Sequence, residues 1–258
     1  MADTGVGVAG RPIWADLATA DPEGSRTFYA RLLGWHAEAN PDPQYGGYAV
    51  ATLDGKAVAG IGPKMSAEAP TAWSIYIGAD DIDALGARIR DAGATIIVPN
   101  LAVGTQGRMA VYQDPSGAFI SAWQPGDMAG YEAQGAGALG WPELNARGID
   151  RVIPFYGRVF GWTTRTSPMG EGQPSYTEFL LDGQSIAGGM EMSPMVPAEV
   201  PSYWMAYFAV ADVDASYRMA LDLGAREMLG PQDSPGGRFA IVSDPQGATF
   251  GLLAMAPR

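Results

Sequence analysis

The feature that most restricts what this chain can fold into is that it contains itself twice. The stretch "FYARLLGW" at 28–35 returns as "FYGRVFGW" at 155–162, with Phe, Tyr, Arg, Gly and Trp in the same places. "LDGKAVAG" at 53–60 returns as "LDGQSIAG" at 181–188, and "GRMAVYQDPSGA" at 107–118 returns as "GRFAIVSDPQGA" at 237–248. The offsets of 127, 128 and 130 residues drift by only a few loop positions. Three ordered matches at nearly one spacing mark a tandem duplication. Between the copies, "GDMAGYEAQGAGALG" at 126–140 is rich in Gly and Ala, a composition that suits a linker. The chain therefore divides into a flexible N-terminus at 1–10, a first domain at 11–126, a linker at 127–138 and a second domain at 139–258.

The first copy reads as two successive βαβββ units. Residues 12–19 alternate as a strand, and 22–33 read as a helix with Asp21 as N-cap and Pro22 at its first position. Phe28, Leu32 and Leu33 give that helix an apolar stripe, and Gly34 stops it. Strands near 47–53 and 56–62 are joined by the Asp54-Gly55 hairpin signal. A second round follows, with a strand at 72–78, a helix at 81–92 ending at Gly93, and strands near 95–98, 108–113 and 118–124. The Asp-Pro-Ser-Gly turn at 114–117 joins the last two. The second copy doubles this to four units. Its Pro154 is tolerated only near a helix's first turn, which sets the start of that helix around Asp150.

Composition removes whole classes of function. Hydrophobic residues make up 47% and charged residues 17%, enough apolar material for a core and too little charge for a disordered chain. With no cysteine, disulfides, zinc–thiolate sites and thiol nucleophiles are all excluded. The first residues carry neither a basic segment nor an apolar one, so no signal peptide is expected. No membrane span is expected either, and the expected location is cytoplasmic. The net charge of −12 repels a phosphate backbone, which argues against nucleic acid. The same charge keeps the protein soluble and would favour a cationic small molecule entering a cleft. No Walker motif, dinucleotide fingerprint or nucleophile elbow is present.

Four βαβββ units with "FYxxxxGW", "LDGxxxAG" and "GRxAxxxDPxGA" resemble the vicinal oxygen chelate superfamily. That group includes glyoxalase I, extradiol dioxygenases, fosfomycin-resistance enzymes and bleomycin-binding resistance proteins. The tandem form looks most like a two-domain actinobacterial, glyoxalase-like or hydroxylase-like branch, with relatives in aromatic-polyketide antibiotic clusters. The resemblance runs from about residue 12 to 255 and implies an α+β fold of two tandem domains with U-shaped mixed sheets. It also implies a ligand in each sheet's cup and, in the enzymes, a metal on His, His and Glu. The first metal position falls on Trp14 and Trp141, the second near Ser74 and Met205, the third on Ser121 and Gly251. None is a competent ligand for a catalytic divalent ion, and His36 is the only histidine. No metal and no cofactor are expected.

Strand alternation sorts the two sheet faces. Ile13, Ala15 and Leu17 would pack under helices, leaving Trp14 and Asp16 toward the cup; the second copy leaves Trp141, Glu143 and Asn145. Further inward positions are Ser74, Tyr76, Met205 and Tyr207, then Ser121, Trp123 and Gly251 on the last strands. Tyr48 and Tyr176 hold matching places before the "LDG" hairpins. These residues form the candidate ligand-binding set. The indoles would offer flat apolar surfaces where a metal centre would otherwise be. Asp16 and Glu143 could pair with a ligand amine, act as a general base, or simply hydrogen-bond within the sheet. Arg108 and Arg238 are expected to hold the turns through Asp114 and Asp244.

The leading expectation is therefore metal-independent binding of a small aromatic, amphipathic and cationic-compatible molecule, in sequestration, resistance or a biosynthetic accessory role. A metal-free isomerase, cyclase or lyase using Asp16 or Glu143 as base is the alternative, and a glyoxalase I-like lyase the third. A monomer is expected, because tandem domains can mimic a dimer of single ones.

Overall fold

The computed structural model describes residues 7–170 and 174–256. Within them the chain forms four βαβββ modules. The first runs β1 (Pro12–Thr19), α1 (Pro22–Leu33), β2 (His36–Ala37), β3 (Ala49–Leu53) and β4 (Lys56–Pro63). The second runs β5 (Ala72–Gly78), α2 (Ile82–Asp91), β6 (Thr95–Val103), β7 (Gly107–Gln113) and β8 (Phe119–Pro125). The third runs β9 (Leu139–Ala146), α3 (Ile149–Phe160), β10 (Thr163–Ser167), β11 (Tyr176–Leu181) and β12 (Gln184–Glu191). The fourth runs β13 (Tyr203–Ala209), α4 (Val213–Asp222), β14 (Arg226–Ser234), β15 (Gly237–Ser243) and β16 (Thr249–Met255). In each module the strands lie in one order, as in β2-β3-β4-β1 and β5-β8-β7-β6, and the sixteen make two eight-stranded mixed sheets. The fold is α+β, as expected.

Local chemistry explains the element boundaries. Asp21 caps α1 by accepting from the Gly24 amide, and Gly34 ends it in the left-handed region at φ 76°. Asp54 and Gly55, both at positive φ, close the β3–β4 hairpin, and Asp182-Gly183 repeats the device between β11 and β12. Helix α3 starts at Ile149, one residue before the expected start around Asp150, and Pro154 lies in its second turn, where the ring removes the bond that Asp150's carbonyl would accept. The helix also opens on Gly148, which has no side chain to cap with. Glu191 at the end of β12 takes over, its carboxylate accepting from the Gly148 amide at 2.9 Å and the Ile149 amide at 2.8 Å. A negative group there also meets the positive end of the helix dipole. We expect Glu191→Ala to lower stability by about 1–2 kcal/mol, measured by thermal unfolding; an unchanged midpoint would show that α3 needs no cap.

The chain divides into two compact units, and they do not coincide with the repeats. One consists of Met1–Ile13, Ile75–Ala129 and Pro142–Trp204, the other of Trp14–Ser74, Gly130–Trp141 and Met205–Arg258. Each unit therefore pairs a module of one repeat with a module of the other, and the repeated motifs supply the joint. In the first unit, the buried Tyr156 hydroxyl of α3 donates to Asp114 Oδ2 at 2.6 Å and accepts from Trp204 Nε1 at 2.8 Å. Trp162 stacks on Tyr156 at 5.3 Å and 9°, and donates its N–H to the Gly10 carbonyl at 2.7 Å.

In the second unit, the Tyr29 hydroxyl of α1 donates to Asp244 Oδ2 at 3.0 Å and accepts from Trp73 Nε1 at 3.0 Å. Trp35 stacks on Tyr29 and donates to the Gly137 carbonyl at 2.7 Å. Burial, then the adjacent carboxylate, raises both tyrosines well above the ordinary phenol range, so each stays a proton donor. The helix "FY", the "GW" after it and the "DP" turn are thus one structural device, used once per unit.

One expectation is corrected here. Arg108 and Arg238 do not hold the turns: Arg108 pairs with Asp83 at 2.8 Å and Arg238 with Asp214 at 2.6 Å, in the first turns of α2 and α4. The turn carboxylates are already occupied, Asp114 by Tyr156, Ser116 and the Ala118 amide. The linker composition is rich in glycine, yet its backbone is held: Glu132 and Ala133 amides donate to the Ala57 carbonyl and the Gly137 amide to Ala209. Of the N-terminus expected to be flexible, residues 1–6 lie outside the described residues, while Gly10 is tied to Gly78 and to Trp162.

Candidate functional site

On β1, Ala15 and Leu17 are buried on one face, which leaves Trp14 and Asp16 on the other. Tyr48, just before β3, joins them. Trp14 Nε1 donates to the Tyr48 hydroxyl at 2.9 Å, and that hydroxyl donates to Asp16 Oδ2 at 3.5 Å. Two glycines make this possible. A β-carbon on Gly60 would collide with the Tyr48 hydroxyl end and stand 2.9 Å from the Asp16 β-carbon; one on Gly62 would stand 2.7 Å from the Tyr48 ring. The phenol ring lies across β4 where side chains are missing. Burial and the Asp16 charge raise Tyr48 well above the usual range. Trp14 does not offer the open stacking surface expected of it. It is 1% exposed, and its N–H is committed to Tyr48.

The third module repeats the pairing with different geometry. Tyr176, the first residue of β11, donates to Glu143 Oε2 at 2.8 Å, and Asn145 Nδ2 reaches Glu143 Oε1 at 3.4 Å. Glu143 is 8% exposed, a buried carboxylate held by a phenol and an amide. Met190 stands where the first repeat has Gly62, in register with both Tyr176 and Asn145. Tyr203 at the head of β13 lies near enough for Glu143, after burial, to raise its pKa. Alternation already placed position 203 on the face of Met205 and Tyr207, so the signal for it was present in the sequence.

The other expected residues fall into smaller groups. Tyr207 lies in register with Gly251, and its ring fills the space a side chain there would take; Phe239 meets the ring edge-on at 6.2 Å. Tyr76 is in register with Ser121 on β8, and Trp123 donates to the Met128 carbonyl at 2.8 Å. Tyr76, Ser121, Trp123, Met205 and Tyr207 are all buried, while Ser74 and Trp141 are half-buried. His36 is an exposed strand residue beside Glu38.

A chain of βαβββ modules joined in pairs, with carboxylate–tyrosine pairs on the sheet faces, defines a protein of the paired-βαβββ class. The chain belongs to the Glyoxalase/Bleomycin resistance protein/Dioxygenase superfamily, whose family model matches residues 11–121 and 138–252. It is 38% identical over 255 residues to "Putative glyoxylase CFP32" of Mycobacterium bovis, covering 96% of each chain. It is 35% identical to "Anthracycline biosynthesis protein DnrV" of Streptomyces peucetius, covering 95% of this chain and 94% of that one. Among solved structures, the fold matches the Mn(II)-bound glyoxalase from Novosphingobium aromaticivorans with a TM-score of 0.66 at 15% identity, over 96% of this chain and 83% of that one.

Some members of the superfamily hold a metal, and the residues at the inherited positions here do not fit one. An indole N–H has no lone pair to give, and Trp14's proton is directed at Tyr48. Gly251 has no side chain, and Met205 and Ser121 are neutral, weak donors toward a hard divalent ion. Among the described residues, no group of three or more His, Cys, Asp or Glu is placed to hold a metal ion. Nor is any described helix long and apolar enough to cross a membrane.

Proposed function

We propose that this chain binds an aromatic or amphipathic small molecule, a secondary metabolite or antibiotic, on the sheet faces that carry Asp16 and Glu143, without a metal. Its role would be sequestration, resistance or service to a biosynthetic pathway. The observation that carries the reading is the hydrogen-bonded chain Trp14–Tyr48–Asp16, at the place where the family resemblance would put the first metal ligand. Phenols and carboxylates stand on these faces over a buried indole, and a largely apolar face with a few polar groups holds planar ligands chiefly by burial. The family's antibiotic-biosynthesis relative in Streptomyces peucetius supports that ligand class.

One observation favours a second reading, metal-free isomerase, cyclase or lyase chemistry. Glu143 is a buried carboxylate with a phenol at 2.8 Å, the setting of a general base. The two readings separate in one experiment. Intrinsic tryptophan fluorescence of the metal-stripped protein is titrated with polycyclic aromatic compounds while the compounds are followed by chromatography. We expect saturable quenching that added Mn(II), Zn(II) or Mg(II) does not alter, with every compound recovered unchanged. A product that accumulates with time and disappears in Glu143→Gln would replace binding by catalysis. Binding that requires an added divalent ion would sink both.

A further inference from the structure

The two repeats differ at one place in a way the fold does not require. Across β10, β11, β12 and β9, Arg165, Glu178, Gly188 and Glu143 stand in one lateral row. The next row carries Ser167, Tyr176, Met190 and Asn145. Residues of a row share a sheet face, so this surface is lined with hydrogen-bonding groups. Arg165 grips Glu178 through two bonds at 2.7 and 2.8 Å, and Tyr176 holds Glu143 at 2.8 Å.

At the matching places the first repeat has Val50 for Glu178 and Ala18 for Asn145. It builds the same strands in the same register, with Val50, Gly60 and Asp16 in their row. The polar set is therefore not a condition for making the module. Glu143 nevertheless sits 8% exposed, and a buried carboxylate costs stability relative to an apolar group of like size.

Resting on the binding reading above, we propose that the Glu143 face of the second repeat is the subsite that recognises a protonated amine on the ligand. A carboxylate accepts from several donors at once, and an ammonium group presents up to three N–H. The phenol of Tyr176 and the amide of Asn145 give the same group further polar neighbours. Charge-assisted bonds of this kind are the strong ones in a partly desolvated site. The overall charge of −12 draws a cation toward the protein from any direction, so the test must separate that attraction from the subsite.

The test uses the full chain and two planar probes of similar size, proflavine as the cation and anthraquinone-2-sulfonate as the anion. Affinities are measured by calorimetric titration at 0.05 and 0.5 M salt, because high salt screens surface attraction far more than a buried contact. We expect the wild type to prefer proflavine at least tenfold at the higher salt. Glu143→Gln, which keeps the shape and an acceptor for Tyr176, should abolish that preference. Asp83→Asn removes one negative charge from the exposed Arg108 pair and should leave the preference intact. A preference that survives Glu143→Gln, or one that vanishes at high salt in the wild type, overturns the assignment while binding stands. If neither probe binds the wild type, the binding reading itself fails, and the subsite with it.

Discussion

Replacing Tyr156 by Phe should be among the most damaging single-atom deletions in this protein. The hydroxyl serves two buried partners, Asp114 at 2.6 Å and Trp204 at 2.8 Å. Removing it leaves a carboxylate oxygen and an indole N–H without that partner in a site that solvent reaches poorly, since Asp114 is 4% and Trp204 6% exposed. An unsatisfied buried group costs about 1–3 kcal/mol, more when charged, so a loss of about 3 kcal/mol is expected. For a chain this long that corresponds to a midpoint lower by roughly 6–12 °C. Tyr29→Phe should act in the same direction but less, because its bonds to Asp244 and Trp73 are longer at 3.0 Å each. Arg108→Ala is the comparison that matters. Its pair with Asp83 is largely exposed, and such pairs contribute about 0–1 kcal/mol. Thermal melts in which Arg108→Ala exceeds Tyr156→Phe would return the turn to the arginine and dismiss the buried hydroxyl as its anchor.

That comparison also shows what the sequence revealed and what it withheld. Wherever the signal was local, the chain was legible. Asp21-Pro22 and Gly34 bracket α1 at Pro22–Leu33, alternation gives β1 at Pro12–Thr19, and Asp54-Gly55 closes its hairpin. Strand β2 has two residues, His36–Ala37, too few for any period to be read. Pro154 set the start of α3 to within one residue, and the helix continues past it because Val152, Phe155, Tyr156 and Val159 are all buried, and their packing outweighs one missing bond. Partner choice was not legible at all. Both repeats carry "FY" and "DP", so nothing along the chain says that Tyr156 answers to Asp114 rather than to Asp244. Only the three-dimensional division into units settles it. The face of the candidate site was readable by parity, which set Asp16 with Trp14 and Glu143 with Asn145. The bonds from Trp14 through Tyr48 to Asp16 depend on Gly60 and Gly62, whose message is the absence of a side chain.

Gly60→Ala tests that last point. Its φ is not in the left-handed region, so the backbone tolerates alanine, and any effect comes from space. The new methyl group would occupy the position of the Tyr48 hydroxyl and press on the Asp16 β-carbon at 2.9 Å. The ring must swing away, and Trp14's buried N–H then loses its acceptor. We expect a loss of about 1–3 kcal/mol for the orphaned indole, with altered tryptophan emission as its direct signature. The same change should weaken aromatic probes that bind at the first repeat's face. Crowding is distinguished from general damage by a double-mutant cycle with Tyr48→Ala. Removing the ring makes room for the methyl group, so the double variant should be less destabilised than the two single variants together by about 1 kcal/mol or more. Additive losses would mean that Gly60 and Tyr48 act independently. The chain Trp14–Tyr48–Asp16 would then not be what the glycine maintains.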